Sequence, residues 1–440
     1  MVSDGSLIGY LLSPFILLVP FAALAWVKRD WVVFALLALL PTYLWRTSVA
    51  GIPTTWFELA LYLVALIFLV RGDLKWLRGR GVEQARTWLP PVALWLAAAM
   101  IGVLAAPHTR LALGIFKGWI IDPLLCVTLL WVVYQKISTP LQFFKRTIGA
   151  LLVGATITSV WAMGTGLSSG LQRFGAWYDS PNVLAMYLVP VAVVTILWLA
   201  MPGPDSRPGK IERWFWYSAT VVLLGTIATT GSYGAWLALV LGLAVGSCYR
   251  RPQTRRLARW FGWGIFIVGL LLPWVVVGTG QWPFVSHQNA SYNVSSGQVR
   301  FVLWREATQV ISRRPLVGVG LGEWQGIFDA QIRPYLPEVR NPGYSIELHY
   351  ASLFPHNLWL TVWLSLGVLG LVALAWLTGL IYRTRASANY LLALPAALFT
   401  TILAQGWFDT PVFKNDLAIL FWLPVVLSAV AYTLPQIENS

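Results

Sequence analysis

Long apolar runs separated by short polar connections fill most of the 440-residue chain. A helix needs about 18 to 20 apolar residues to cross a hydrocarbon core about 30 Å thick. Runs near that length predict spans at residues 8–27, 31–46, 55–70, 88–106, 119–135, 147–166, 183–202, 214–230, 232–248, 260–280, 357–382, 388–406 and 417–434. The pattern therefore predicts an all-α polytopic membrane protein with about 12–13 transmembrane helices.

The composition agrees with that class of protein. Hydrophobic residues make up 58% of the chain and charged residues 11%, and the mean hydropathy is +0.67. The first apolar run follows an acidic stretch and lacks a small-residue cleavage site, so we expect a retained helix rather than a signal peptide. Cys126 and Cys248 both lie within apolar runs. The sequence therefore predicts neither a disulfide framework nor a cysteine metal site.

Basic residues are distributed unevenly between alternate connections. The net charge is +14, and one alternate set of connections holds 20 of the 31 Lys and Arg residues: 28–29, 71–86, 136–146, 203–213, 250–259 and 383–385. Positive charge is retained in short cytoplasmic loops, so we expect this set and the C-terminus to be cytoplasmic. The basic excess then reports topology, and we expect no nucleic-acid partner.

One long connection divides the chain into three parts. The predicted parts are N-terminal membrane helices (1–280), an outer loop (281–356) and C-terminal membrane helices (357–440). The other connections are shorter than about 20 residues, and a single long loop among short ones is where function is usually carried. The outer loop is therefore the first place to search for a site.

Within the outer loop, "GQVRFVLWREATQVISRR" (297–314) predicts a helix that Pro315 ends. At 100° per residue, Arg300 projects from the apolar arc and Arg305 from the opposite, polar face. Arg300 should face the protein or the membrane, and Arg305 should face water. A buried arginine needs an anionic partner, which could be an internal salt bridge or an anionic ligand.

The segment after this helix, "PLVGVGLGEW", carries glycine at three alternate positions, Gly318, Gly320 and Gly322. The spacing superficially resembles a nucleotide-binding loop, but no parallel strand precedes it and it lacks a Walker lysine. Tight turns and close backbone packing are the better interpretation.

Four segments in a fixed order resemble those of a known family. They are "RFGAWYDSPNVLAMYL" (173–188), "TTGSYGAWLAL" (229–239), "VRFVLWREATQVISRRPLVGVGLGEW" (299–324) and "PHNLWLTVWLSLGVLGL" (355–371). Together they resemble the O-antigen ligase and O-antigen polymerase superfamily. The likeness covers roughly residues 170 to 380 and continues more weakly in "FDTPVFKNDLAILFWL" (408–423).

The resemblance implies a fold, an activity and partners. The fold is the all-helical membrane glycosyltransferase (GT-C-like) type, in the bacterial inner membrane with its active face periplasmic. The activity is transfer of a glycan from undecaprenyl diphosphate to an acceptor hydroxyl, on lipid A core or another glycan or protein, with inversion and without a metal, nucleotide sugar or other cofactor. Consistent with the lack of a metal, the first outer loop, "TSVAGIPTTW", has no acid before Glu58. Membrane lipids are the remaining partners.

Two alternatives stay open beside a ligase. A polymerase of the same family would share the donor chemistry, and the single long outer loop favours a ligase slightly. A non-enzymatic transporter of lipid-linked glycans should line a central path with intramembrane charges, whereas the cations here concentrate at the outer face.

The resemblance also assigns roles to residues. Arg300 and Arg173 correspond to the family's arginines, suited to stabilising charge on a diphosphate, and His356 corresponds to its histidine, suited to act as the base. The outer hairpin commonly carries Ser-Arg in the family but reads "GSYG" here. Lys117 is therefore the candidate replacement cation, with Arg305 as a further charge.

The remaining candidates have structural alternatives. Asp179 and Asn182 could bind sugar hydroxyls, although Asp179 could equally cap a turn. His349 competes with His356 for the role of the base, and Asn357 could simply cap the helix that follows it. Asp122, inside a span, could be functional or could pair with a basic group.

Overall fold

The computed structural model describes residues 14–49, 52–79, 81–201, 209–284, 288–289, 294–343, 348, 353–383 and 390–434. Apolar helices dominate these ranges. In chain order they are α1 (Pro14–Val27), α2 (Arg29–Ala38), α3 (Trp56–Val70), α4 (Val82–Arg86), α5 (Leu89–Ala105), α6 (Thr109–Phe116), α7 (Asp122–Tyr134), α8 (Pro140–Ser168), α9 (Pro181–Leu199), α10 (Lys210–Thr229), α11 (Tyr233–Arg250), α12 (Arg255–Thr279), α13 (Ser296–Arg313), α14 (Trp324–Ile327), α15 (Leu358–Ile381), α16 (Ala393–Gly406) and α17 (Asn415–Ala431).

A helix overlaps each predicted span, and α13 coincides with the helix predicted at 297–314. Among the residues that the structure describes, six helical stretches are long and apolar enough to cross a membrane: Val82–Ala105, Thr109–Tyr134, Pro140–Ser168, Pro181–Leu199, Arg255–Thr279 and Leu358–Ile381. Shorter apolar helices accompany them. The chain is an all-α polytopic membrane protein.

The predicted span at 31–46 is wrong in its second half. Helix α2 ends at Ala38, and Pro41 lies in the 3₁₀ turn Leu40–Leu44 that follows. The chain then forms a short antiparallel hairpin of β1 (Arg46–Val49) and β2 (Ile52–Thr55). Proline removes a helical hydrogen bond and clashes with the preceding turn, so an apolar run does not guarantee a continuous helix. A second pair of short strands, β3 (Gln288–Asn289) and β4 (Val294–Ser295), precedes α13.

Helix α16 lies at the centre of the bundle, where α11, α9, α17 and α12 pack around it. Small residues allow the close approach that helix pairs in membranes need. At Gly242 of α11 an added Cβ would meet Thr401 and Val193, and at Gly246 it would meet Leu197 and Ala397. The two glycines therefore let α11 approach α16 and α9 closely.

Described residues of the long loop predicted at 281–356 share an apolar cluster with α12 and α15. Leu303, Trp304 and Ile311 of α13 are buried against residues that follow them in the loop, such as Phe328, and against Leu364 of α15. A capping box at the start of α13 pairs Ser295 with Gln298. Packing of α13 on α15 fixes Arg300 relative to the end of α15 that carries His356.

A kink in α15 is filled by the segment after α13. Gly367 has φ +65° and interrupts the helical hydrogen bonds. The freed groups find partners in the loop: the Val368 N–H donates to the carbonyl of Leu316 at 3.0 Å, and the Leu364 carbonyl accepts from Val319 N–H at 2.8 Å. Backbone groups in an apolar setting must be satisfied in this way. We call the contact of residues 315–322 with residues 364–368 the glycine seam.

The glycines of the seam have the role that their spacing predicted. Gly318, Gly320 and Gly322 have positive φ values of 74°, 108° and 81°. An added Cβ would collide with the Leu364 carbonyl at the first and with the backbone of Ala106 at the second. Close backbone packing, rather than phosphate cradling, is therefore confirmed.

Candidate functional site

Arg173 lies in the connection between α8 and α9 and is held by two contacts. Its Nε donates to the carbonyl of Thr230 at 2.7 Å and its Nη2 to Oδ1 of Asn182 at 2.9 Å. Asn182 is in the first turn of α9, which Ser180 caps. Burial lowers the pKa of Arg173, but an arginine remains cationic at neutral pH.

Arg300 is anchored through backbone oxygens. Its Nε donates to the carbonyl of Phe408 at 2.8 Å and its Nη1 to the carbonyl of Ser296 at 3.3 Å. Burial lowers the pKa of Arg300, the charge of Asp409 opposes that effect, and the nearby charge of Arg173 adds to it. Arg300 therefore faces the protein interior, as the apolar arc of α13 predicted.

The two arginines line one cavity of about 360 Å³. Ser232 and Tyr233 of the hairpin between α10 and α11 line the same cavity, as does Asp409. Two guanidinium groups that line one cavity, each with donors in a planar fork, could hold an anion such as a phosphate group.

Asp409 connects this cavity to His356. Its Oδ1 lies 3.2 Å from Nδ1 of His356 and accepts the N–H of Thr410 at 2.9 Å. Burial raises the pKa of Asp409, but His356, Lys414 and Arg300 outweigh burial and hold that pKa well below its usual value. Asp409 is therefore ionised at neutral pH, and it favours the histidine tautomer that carries its proton on Nδ1.

His356 is held in an unusual conformation. Its φ is +51°, and the only other positive φ outside glycine in the part of the chain that the structure describes is that of Ala176, in the loop that carries Arg173. Left-handed backbone outside glycine costs energy and concentrates at functional sites. The His356 side chain is 24% exposed, so the imidazole is reachable from outside the protein.

Asn357 caps the start of α15. Its Oδ1 accepts the N–H of Leu360 at 3.0 Å, which caps α15, and its Nδ2 donates to the carbonyl of Trp407 at 3.1 Å. Asn357 is fully buried. The capping interpretation is confirmed for Asn357, whereas the ring of His356, one residue earlier, faces Asp409.

Lys117 does not line the cavity. Its Nζ forms an ion pair with Glu58 at 2.7 Å, at a π-helical turn (Lys117–Ile121) between α6 and α7. Asp122, one turn further along, accepts hydrogen bonds from Tyr43 at 2.8 Å and Tyr62 at 2.6 Å. This polar cluster satisfies its own charges, which argues against Lys117 as the replacement cation.

Arg305 does not line the cavity, and it faces water only in part because two carboxylates pair with it. It forms ion pairs with Glu306 at 2.7 Å and Glu338 at 2.8 Å, and its side chain is 27% exposed. Burial lowers the pKa of Arg305, but the two carboxylates outweigh burial and raise it. Glu338 lies in a later turn of the same loop, a contact that helical periodicity cannot reveal.

Two further candidates also lie outside the cavity. Asp179 is exposed and does not line it, and His349 lies outside the described residues. In the part of the chain that the structure describes, no group of three His, Cys, Asp or Glu side chains could hold a metal ion.

Sequence reasoning missed Asp409 and Lys414. Both lie in the connection between α16 and α17, and Lys414 Nζ is 6.0 Å from the ring centre of Phe354, beside His356. The signal was the polar pattern of "FDTPVFKND" between two apolar runs. The structure brings together Arg173, Asn182, Arg300, His356 and Asp409.

The fold and the site define a class: a polytopic membrane protein in which a cavity with two arginines adjoins a carboxylate–histidine pair. The family model described as O-antigen ligase matches residues 218–375. An O-antigen ligase of Salmonella typhimurium is 23% identical over 311 residues, which cover 68% of this chain and 70% of that protein. These findings support membership of the O-antigen ligase superfamily, and the family suggests a lipid-linked glycan transferase. The matched range contains Arg300 and His356, whereas Arg173 and Asp409 lie outside it.

Proposed function

We propose that this protein transfers a glycan from undecaprenyl diphosphate to an acceptor hydroxyl on the periplasmic side of the bacterial inner membrane. The observation that carries the proposal is the convergence of Arg173 and Arg300 on one cavity, next to the Asp409–His356 pair. Those residues come from three separate connections and are distant in sequence. The cavity offers a phosphate site, and the His356 that pairs with its lining residue Asp409 offers a base, which are the two functions that the reaction needs.

The arginines bind the diphosphate and stabilise it as the leaving group. When the bond between the sugar C1 and the phosphate oxygen breaks, negative charge develops on the diphosphate. Fixed cations placed where charge develops lower the barrier most. Asn182 and the carbonyls of Thr230 and Phe408 fix the guanidinium planes, so little reorganisation is needed during the reaction.

His356 acts on the acceptor. Its Nε2 accepts the proton of the hydroxyl as that oxygen attacks the sugar C1, and Asp409 stabilises the imidazolium that forms. Attack opposite the leaving group in a single step inverts the configuration at C1. The products are the glycosylated acceptor, undecaprenyl diphosphate and a proton carried away from His356.

Tyr233 lines the cavity where the hairpin of the family commonly carries arginine. A phenol can donate one hydrogen bond to a phosphate oxygen but brings no charge. The proposed donor site therefore works with two arginines, and the polar character of Ser232 and Tyr233 completes it.

The test uses purified protein, a lipid-linked oligosaccharide and a glycan acceptor, without added metal. We expect release of undecaprenyl diphosphate together with a glycosylated acceptor. Arg300→Ala and His356→Ala should each lose at least about 100-fold in rate while the protein still folds. Arg313→Ala is the matched control, because this exposed arginine lies on the same helix and does not line the cavity.

The outcomes separate the alternatives. Full activity of both site variants contradicts the site, and equal loss in Arg313→Ala points to the charge of α13 as a whole. If the donor glycan is elongated and the acceptor stays unmodified, the protein is a polymerase. If wild-type protein moves the donor across liposomes but never cleaves it, the protein is a transporter.

A further inference from the structure

A second charged cavity lies at the opposite ends of α3 and α7 from Lys117. It has a volume of about 530 Å³ and is lined by Arg29, Arg71, Asp73, Lys75, Trp76 and Lys136. These residues come from three connections that the sequence predicts on the cytoplasmic side: 28–29, 71–86 and 136–146. The positive-inside pattern accounts for basic residues in those connections, but it does not account for their convergence on one cavity.

A buried carboxylate organises the cavity. Asp73 is 3% exposed, and its two oxygens accept from Nη1 of Arg29 at 2.8 and 2.7 Å and from Nζ of Lys136 at 2.6 Å. Burial raises the pKa of Asp73, but hydrogen bonds from Lys136 and Arg29 outweigh burial and lower it. Asp73 is ionised at neutral pH and neutralises one of the two cations that hold it.

Two more cations line the cavity without a carboxylate. Arg71 lies with its guanidinium 4.5 Å from the ring centre of Trp26, and Lys75 Nζ lies 5.8 Å from that of Trp76. Neither forms an ion pair with an acidic residue in the ranges that the structure describes. Four cations therefore face one acid, and an added anion would reduce their mutual repulsion.

The chemistry of the donors favours phosphate. A guanidinium presents two parallel N–H groups to phosphate oxygens, and an ammonium adds a point charge. Exposed apolar side chains lie directly before Arg71, with Leu69 59% and Val70 68% exposed, and Trp76, five residues after Arg71, is 38% exposed. A free phosphate would contact the cations alone. A phospholipid would contact the cations with its phosphate and the exposed apolar side chains with an acyl chain.

We propose that this cavity binds the phosphate of an anionic phospholipid headgroup, with an acyl chain along the exposed end of α3. Arg71 and Lys75 contact the phosphate, while Arg29 and Lys136 hold Asp73 and shape the cavity floor. The lipid ties together the connections that follow α1, α3 and α7, and its binding stabilises the fold. This site is separate from the transfer site, so either proposal can fail without the other.

The experiment measures thermal unfolding of the full chain in a neutral detergent. Dioleoylphosphatidylglycerol should raise the Tm by about 3 °C at a hundredfold excess over its Kd. Dioleoylphosphatidylcholine, which is zwitterionic, and inorganic phosphate at equal concentration should raise it by less than about 1 °C. Equal stabilisation by inorganic phosphate overturns the lipid assignment, and equal stabilisation by phosphatidylcholine overturns the charge recognition.

A charge-matched pair of variants locates the effect. Arg71→Gln/Lys75→Gln should fold like wild type without lipid, because neither residue pairs with an acid in the described part of the chain, and should lose the phosphatidylglycerol shift. Arg213→Gln/Arg256→Gln removes the same charge from two exposed arginines on the same predicted side and should keep the shift. Equal loss in both pairs shows general electrostatic attraction and overturns the site. If the first pair does not fold, the lipid comparison with wild-type protein still decides the lipid proposal.

Discussion

Asp409→Asn removes one charge from the middle of the proposed transfer site and preserves the size of the side chain. Oδ1 of Asp409 accepts from Thr410 N–H at 2.9 Å and lies 3.2 Å from Nδ1 of His356. A carboxamide oxygen can accept both hydrogen bonds, so we expect the variant to fold. The variant loses the attraction between the carboxylate and the imidazolium that forms when His356 accepts a proton.

The size of that loss follows from the geometry. Two unit charges 3.2 Å apart attract each other by about 5 kcal/mol at an effective dielectric constant of about 20. Proton transfer by a positioned base contributes roughly 10²- to 10⁴-fold in rate, which limits what Asp409 can supply through His356. We therefore expect kcat to fall roughly 10²- to 10³-fold. The cavity lined by Arg173 and Arg300 becomes more positive, so the KM for the diphosphate donor should stay constant or fall.

Initial rates of undecaprenyl diphosphate release over a range of donor concentrations separate kcat from KM. The double variant Asp409→Asn/His356→Ala should be no slower than His356→Ala, because residues that act through one another are not additive. A rise in KM with unchanged kcat would refute the reasoning. So would a double variant much slower than either single variant, since Asp409 would then act independently of His356.

Three other substitutions test separate parts of the structure. Asn182→Ala removes a hydrogen-bond partner of Arg173 and should raise the donor KM roughly fivefold, for a loss of about 1 kcal/mol; an unchanged KM in the same rate assay contradicts the role of Asn182. Gly367→Ala adds a Cβ against a loop carbonyl at φ +65° and should lower the Tm by several degrees, whereas an unchanged Tm contradicts the kink geometry. Burial raises the pKa of Glu338, but the hydrogen bond and charge of Arg305 outweigh burial and lower it. The ion pair therefore stabilises the fold above pH about 4.3, and this stabilisation is lost as the pH falls through the lowered pKa. Glu338→Gln should lower the free energy of unfolding by about 0.5–1 kcal/mol at neutral pH. The variant should also lose less stability than wild type as the pH falls below about 4.3, and an equal loss would show that other carboxylates cause the decrease.

Much of the fold could be predicted because apolar periodicity is a local property. The helices α5, α9, α11 and α15 begin within two residues of the spans predicted from hydropathy. The direction of Arg300 followed from helical geometry alone. The end of α2 at Ala38 was not predicted. The apolar run continues past Pro41, but hydropathy does not report whether the backbone there is helical.

The site could be predicted only in part, because its contacts join distant segments. Arg173, Arg300 and His356 were found through short motifs in a fixed order. Asp409 carries no motif of its own, and its role depends on an α16–α17 connection that folds back over α15. Lys117 was assigned from its position near the end of a span, but its charge is satisfied by Glu58, an ion pair that sequence spacing cannot reveal.

The glycine seam has a consequence for protein engineering. The same backbone hydrogen bonds fill the kink at Gly367 and anchor the segment that leaves α13, so the helix of Arg300 and the helix that begins beside His356 form one mechanical unit. A loop transplanted from a relative would need the matching kink in α15. Without its own loop, the backbone groups at the kink would lose their hydrogen-bond partners. Chimeras intended to change the acceptor should therefore exchange residues 294–383 as one block, with both faces of the seam inside it.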